Sequence, residues 1–285
     1  EGLVRVYVEG AAAGCIALEE ALIARFALHF CRVVPDLGEP GLPLKGLGRA
    51  AGGYLQGALE RGEHRLIGVG HGRTLAAMVD HLPRTGFPDL RFVSLLGGLP
   101  MRSLASPFDV IHRLAERTSA EAYLLPVPFF ANTAADRAVL LAQRGVTEAL
   151  AIAREATLFI VGIGDVSEEA FLGGVGAINA REMAALRAAG AVGEVLGRFV
   201  DAVGVPVASE MHERVIAVEP AAMAAREVLA VAGGAAKAAA ILAVLRSGLL
   251  SALITDEPTA RRLVEAGSER AGTERNQHQR EKDRP

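Results

Sequence analysis

Four short glycine-rich stretches carry the residues whose types and spacing could do chemistry. The first, Gly68-Val-Gly-His-Gly-Arg-Thr74, sets Gly70 and Gly72 around His71 and ends on Arg73 and Thr74. Glycine lets a backbone turn tightly and approach a ligand, and a helix that follows offers unpaired N–H groups to an anion. Arg73 and Thr74 add a charged fork and a hydroxyl. The chemistry is that of a phosphate cradle, set against the plainer reading of a tight turn closed by a Thr cap. It is not a dinucleotide fingerprint, because the last glycine spacing is missing and the next strand ends in Ser94-Leu-Leu with no acidic residue for a ribose. Nor is it a Walker loop, since no Gly-Lys-Ser/Thr follows.

The other stretches are Leu96-Gly97-Gly98, Val161-Gly-Ile-Gly164-Asp165 and Ala232-Gly233-Gly234-Ala-Ala-Lys237. A glycine pair by itself reads as a turn, so Gly97 and Gly98 count as candidates only by their place after a strand. Asp165 is read either as a partner for ligand hydroxyls or as a cap on the next segment. Lys237 is one of only three lysines among 30 basic residues. Just inside a helix N-terminus it opposes the helix dipole, a conflict that a bound anion would resolve, set against the plainer reading of a solvated surface lysine. Asp201, in Gly197-Arg-Phe-Val-Asp-Ala-Val-Gly204, stands among apolar residues and reads equally as a sugar-hydroxyl partner or a turn cap. Of the seven histidines, His71 alone lies in a candidate ligand loop, and none shows metal spacing such as HExxH. No metal and no cofactor is expected.

Composition narrows the function classes. The chain has 285 residues, 51% hydrophobic and 22% charged, with no stretch approaching the roughly 20 apolar residues that span a bilayer and no secretory start. Cys15 and Cys31 are its only cysteines, too few for a disulfide framework. Net charge is −3 with the basic residues dispersed, Trp is absent, and helix-turn-helix, zinc-finger and basic-zipper patterns are missing. A chain that grips phosphate backbone shows a basic face, and single-strand binders show stacking aromatics. The expectation is a cytoplasmic chain that by itself binds neither membrane nor nucleic acid.

The loops need elements to hold them, and the apolar period alternates between strand and helix along the chain. Strands are expected at Val4–Val8, Phe30–Val34, Arg65–Val69, Leu90–Leu96, Glu121–Val127 and Thr157–Ile163, the last nearly all apolar as in the middle of a parallel sheet. Further strands are expected at Arg198–Val207, Arg214–Val218, Val228–Ala232 and Leu249–Ile254. Helices are expected at Ile16–Leu28, Leu47–Leu59, Thr74–Leu82, Phe108–Ala115, one or two over 136–156, Ala180–Ala189 behind an Asn179 cap, Ala235–Leu245 and Thr259–Val264. The fold class is α/β, a mostly parallel sheet flanked by helices, with a small α/β subdomain in the second half. Residues 1–266 form the domain, and 267–285, almost without apolar residues, read as a disordered tail.

Taken in order, Ile-Gly-Val-Gly-His-Gly-Arg-Thr, Leu-Leu-Gly-Gly, Val-Gly-Ile-Gly, Gly-Ala-Val-Gly-Glu-Val-Leu-Gly-Arg-Phe-Val-Asp, Val-Ala-Gly-Gly-Ala-Ala-Lys and Leu-Ile-Thr-Asp-Glu resemble the SorC family. That is the effector-sensing, sugar-binding domain of bacterial transcriptional regulators, and the similarity covers residues 2–266. The resemblance implies a fold like the sugar-phosphate isomerase and CoA-transferase group and a phosphorylated sugar as effector. It places the phosphate on Gly70, Gly72, Arg73 and Thr74, a polar contact on Lys237 and a hydroxyl contact on Asp201. With the bottom-up loops, the candidate ligand set is Gly70, His71, Gly72, Arg73, Thr74, Gly97, Gly98, Gly164, Asp201, Gly233, Gly234 and Lys237. It further implies a homodimer or homotetramer that meets DNA only through a helix-turn-helix domain not contained in this chain. Position 71 is often aromatic in the family and is His here. The alternative is a sugar-phosphate isomerase or deaminase on the same fold; such an enzyme needs a carboxylate base, and no paired-carboxylate loop follows a strand except Asp256-Glu257, which more simply starts the last helix.

Overall fold

The computed structural model describes residues 11–39, 41–99 and 107–266. The strand expected at Val4–Val8 and the tail 267–285 lie outside the described residues. The first half runs α1 (Ala11–Phe26), β1 (Phe30–Val34), α2 (Leu44–Glu60), β2 (Leu66–Val69), α3 (Arg73–Asp80), β3 (Arg91–Ser94), α4 (Pro107–Thr118) and β4 (Glu121–Tyr123). It continues through α5 (Ala134–Leu141), α6 (Arg144–Arg154), β5 (Leu158–Val161), β6 (Gly164–Asp165), α7 (Phe171–Gly174), α8 (Ala180–Ala188), β7 (Gly193–Val195) and β8 (Arg198–Val200). It closes with α9 (Met211–Arg214), α10 (Pro220–Met223), β9 (Glu227–Val231), a 3₁₀ turn at Ala235–Lys237, α11 (Ala238–Arg246), β10 (Ala252–Asp256) and α12 (257–266).

Seven strands form one parallel sheet in the order β1-β10-β9-β5-β2-β3-β4, and β6-β7-β8 form a small antiparallel sheet. This is the α/β architecture expected from the alternating periods. In β5, Leu158 and Ile160 face one apolar cluster and Phe159 and Val161 the other. Both faces of the sheet are therefore covered by helices, which is why this strand is continuously apolar rather than alternating. Truncating a fully buried ring such as Phe159 removes about 3–5 kcal/mol, a large part of any domain's net stability.

Local signals hold where they are self-contained. Asn179 caps α8 in a reciprocal capping box with Glu182, and Gly190 follows the helix at φ +85°. The stretch 136–156 is two helices, divided at Ala142 and Gln143. Three strand expectations fall short, and of these Glu121–Val127 pairs only as far as Tyr123, ahead of Pro126. Arg198–Val207 pairs only as far as Val200, because the Asp201 carboxylate accepts the N–H groups of Val203 and Val205 at 2.9 Å each and turns the chain. Arg214–Val218 begins instead as the last residue of the α9 turn, and Val215 and Ala217 make isolated bridges to Phe130 and Leu96.

Candidate functional site

The sheet winds in two directions from β2. The chain moves outward through β3 and β4, then returns to place β5 on the other side of β2. The segments leaving β2 and β5 diverge, and a crevice opens beyond the carboxyl ends of these strands, where ligands sit in open α/β sheets. Three of the four glycine stretches meet there: His71 to Thr74 after β2, Gly162 to Asp165 after β5, and Ala232 to Lys237 after β9. The crevice is open to solvent, with about 610 Å³ of atom-free space when its mouth is included.

Each loop is shaped by backbone requirements. Gly72 precedes α3 at φ +128°, a conformation side chains rarely adopt, and no N-cap side chain accepts from the first-turn N–H groups of that helix. A Cβ on Gly162 would lie 3.0 Å from the His71 carbonyl, so glycine lets the β5 and β2 loops touch. Gly70 donates its N–H to Ile160 O at 2.8 Å. The Thr74 hydroxyl donates to Val231 O at 2.8 Å, tying the start of α3 to β9. It is thus a structural clasp first. Gly234 donates its N–H to the buried Asp256 carboxylate at 2.7 Å, and Gly233 packs against the same group. Asp256 also accepts from the Thr259 N–H and hydroxyl, so it caps α12 as the Asp-Glu pair suggested.

Five titratable side chains line the crevice. Lys237 is largely buried, donates to Ile163 O at 2.9 Å and lies 3.9 Å from the Asp165 carboxylate. Burial lowers its pKa, with Asp165 and Glu194 pulling it back up and Arg73 pushing it further down. The Arg73 guanidinium lies 5.9 Å from the Phe171 ring centre. Asp165 accepts from Ser167 and so caps its own loop while its second oxygen faces Lys237. Glu194 on β7 is 3% exposed, accepts the Gly197 N–H at 2.5 Å, and burial pushes its carboxyl up to about 7. His71 lies between Phe129 and Phe171, at 5.3 and 5.7 Å between ring centres, and burial, helped by the Lys237 charge, pushes its pKa down to about 4.

Of the candidate residues, His71, Gly72, Arg73, Thr74, Gly164, Gly233 and Lys237 line this pocket, with Gly70 and Gly234 as their immediate neighbours. Gly97, Gly98 and Asp201 do not line it. Gly97 and Gly98 are held by hydrogen bonds to Ile216 O and Val127 O in the packing between β3 and the 126–130 segment. Asp201 caps its turn near the C-terminal end of α11, where Gly204 packs on Ser247, whereas Lys237 precedes the N-terminal end of that helix. Sequence reasoning missed Glu194 and Phe171. The signal for Glu194 was present, a lone carboxylate inside the apolar run Ala191-Val-Gly-Glu-Val-Leu196. β6 and β7 pair Gly164 with Glu194 and so bring Asp165 and Glu194, from different parts of the chain, to the lining of one pocket.

Comparison with known proteins gives a consistent result. The family model described as "Putative sugar-binding domain" matches residues 11–265. The erythritol catabolism regulatory protein EryD of Brucella abortus is 49% identical over 266 residues, 93% of this chain and 84% of that protein. The transcriptional regulator LsrR of Enterobacter is 32% identical over 271 residues, 92% of this chain and 80% of that protein. The full-length sorbitol operon regulator SorC of Klebsiella pneumoniae has the same fold, with a TM-score of 0.80 at 24% identity, covering 92% of this chain and 84% of that one.

Proposed function

This chain belongs to the sugar-binding domain family of SorC-type transcriptional regulators, and on that premise we propose that its switch-point crevice binds a phosphorylated sugar or polyol as a non-catalytic effector. The observation that carries the reading is the convergence of the α3 N-terminus, Arg73 and Lys237 on one pocket. Helix-end N–H groups and two cations suit a phosphate, while the carboxylates of Asp165 and Glu194 on the same lining suit carbon-bound hydroxyls.

Regulation follows only if the ligand prefers one arrangement of the protein over another, because equal affinity for both shifts nothing. In this reading occupancy biases a dimer or tetramer between two arrangements, and a separate DNA-binding domain of the intact regulator reports that bias. The relative of 49% identity is named for erythritol catabolism, which makes a four-carbon polyol phosphate the first probe.

The test is thermal unfolding of the purified chain against erythritol 4-phosphate and a panel of sugar mono- and bisphosphates, with inorganic phosphate and free erythritol as controls. A native-state ligand raises the midpoint with concentration. The expected result is a saturable rise with one phosphorylated compound that is recovered unchanged. Consumption of the compound would make the protein an enzyme, and no shift across the panel would overturn the reading.

A further inference from the structure

Nδ1 of His71 is buried and has no hydrogen-bond partner among the described residues. The residue is 9% exposed, lines the crevice, and is gripped on its ring faces and edges by Phe171 and Phe129. An unpaired buried nitrogen costs roughly 1–3 kcal/mol, so a fold under no other demand would place an apolar ring here. We propose that His71 is a specificity-determining residue whose Nδ1 hydrogen-bonds a hydroxyl on the carbon chain of the ligand. This rests on the crevice being the effector site.

The partner is a hydroxyl rather than the phosphate for two reasons. The nearby cations, Arg73 and Lys237, already supply the positive charge a phosphate needs, and the Lys237 charge disfavours a second cation on the imidazole. A neutral imidazole has one donor and one acceptor nitrogen, and a hydroxyl, which both donates and accepts, satisfies Nδ1 in either tautomer. A phosphate oxygen satisfies only the donor form. The aromatic grip on the ring fixes where that hydroxyl must lie, so a ligand without a hydroxyl at that carbon leaves the nitrogen unpaired and is rejected.

Two substitutions separate the polar role from the packing role. His71→Phe keeps a ring between Phe129 and Phe171 and deletes the nitrogen; His71→Asn keeps a polar group near Nδ1 and deletes the ring. Affinity for erythritol 4-phosphate, or for the panel compound that stabilises the parent chain most, is measured by calorimetry beside the ligand-free unfolding midpoint. The expected pattern is crossed. His71→Phe unfolds at the parent midpoint or above it yet binds at least about tenfold more weakly, while His71→Asn unfolds lower yet binds within a few-fold of the parent. His71→Phe binding within twofold of the parent overturns the inference and leaves the effector reading standing. So does a lowered ligand-free midpoint for His71→Phe, which would mean the nitrogen has a structural partner. If the parent chain binds no panel compound, the effector reading fails and the inference falls with it.

Discussion

Lys237 Nζ donates to the main-chain oxygen of Ile163 at 2.9 Å, so one side chain spans the loops that follow β9 and β5. The ammonium is held in place before any ligand arrives, with Asp165 at 3.9 Å as its counter-charge. An anchor ordered in advance costs a ligand less to use than one it must first immobilise.

Lys237→Met should therefore abolish ligand-dependent stabilisation while leaving the ligand-free chain folded. The variant loses one hydrogen bond and leaves Asp165 without its counter-charge, partly offset by relief of burying an ammonium, so the ligand-free stability should fall by about 1–3 kcal/mol. Thermal scans with and without the phosphorylated probe check both halves. A retained ligand shift in Lys237→Met would remove this residue from the site.

Two buried groups on the crevice wall should make stability depend on pH in opposite directions. Glu194 loses its proton near 4.5 when unfolded and near 7 when folded, so between these values the native state binds more protons and stability falls as pH rises. His71 loses its proton near 6.5 when unfolded and near 4 when folded, so between these values the unfolded state binds more and stability rises with pH. Each displacement is worth roughly 2–4 kcal/mol, and the two oppose each other where they overlap, between about pH 4.5 and 6.5. Denaturant titrations across pH should show Glu194→Gln with stability climbing from about pH 4 to 6.5. His71→Phe should show stability falling from about pH 4.5 to 7. Two variants with the same slope would contradict the assignment.

Asp201→Ala should destabilise the chain by about 1–2 kcal/mol, since its carboxylate accepts two main-chain N–H groups at the turn after β8. The ligand-induced rise in midpoint should be unchanged, because the residue lies away from the crevice. A selective loss of the ligand effect, with stability intact, would restore the hydroxyl-contact role that the family resemblance implied.

Gly97→Ala should cost at least about 2 kcal/mol, because the added Cβ would meet Pro128 O at 2.4 Å and Val127 O at 2.6 Å, main-chain atoms with no room to withdraw. Gly145→Ala, in α6 with nothing within 4 Å, should be neutral or raise stability by up to about 1 kcal/mol. Urea midpoints of the pair give the comparison directly. Equal effects would mean that the packing of the 126–130 segment on Gly97 is looser than the geometry states.

What the sequence by itself determined is everything whose cause is local. The apolar period placed β1, β5 and α11, because burial on both faces or on one stripe writes itself into consecutive residues. The Asn179 cap and the Gly190 stop were legible because each satisfies backbone groups within one turn. The glycine loops were legible as tight backbone paths after strands because glycine permits conformations that other residues rarely adopt. Tertiary structure alone decided which loops share a site. The crossover from β4 back to β5 seats the β5 strand beside β2, and that step brought Gly72, Asp165 and Lys237 together while leaving Gly97 and Asp201 elsewhere. It also turned Glu194 from an ordinary strand residue into a buried wall of the crevice, and left His71 with a nitrogen that has no partner among the described residues. Proximity between residues far apart in the chain, and the desolvation that follows from it, depends on strand order, which no local stretch of residues encodes.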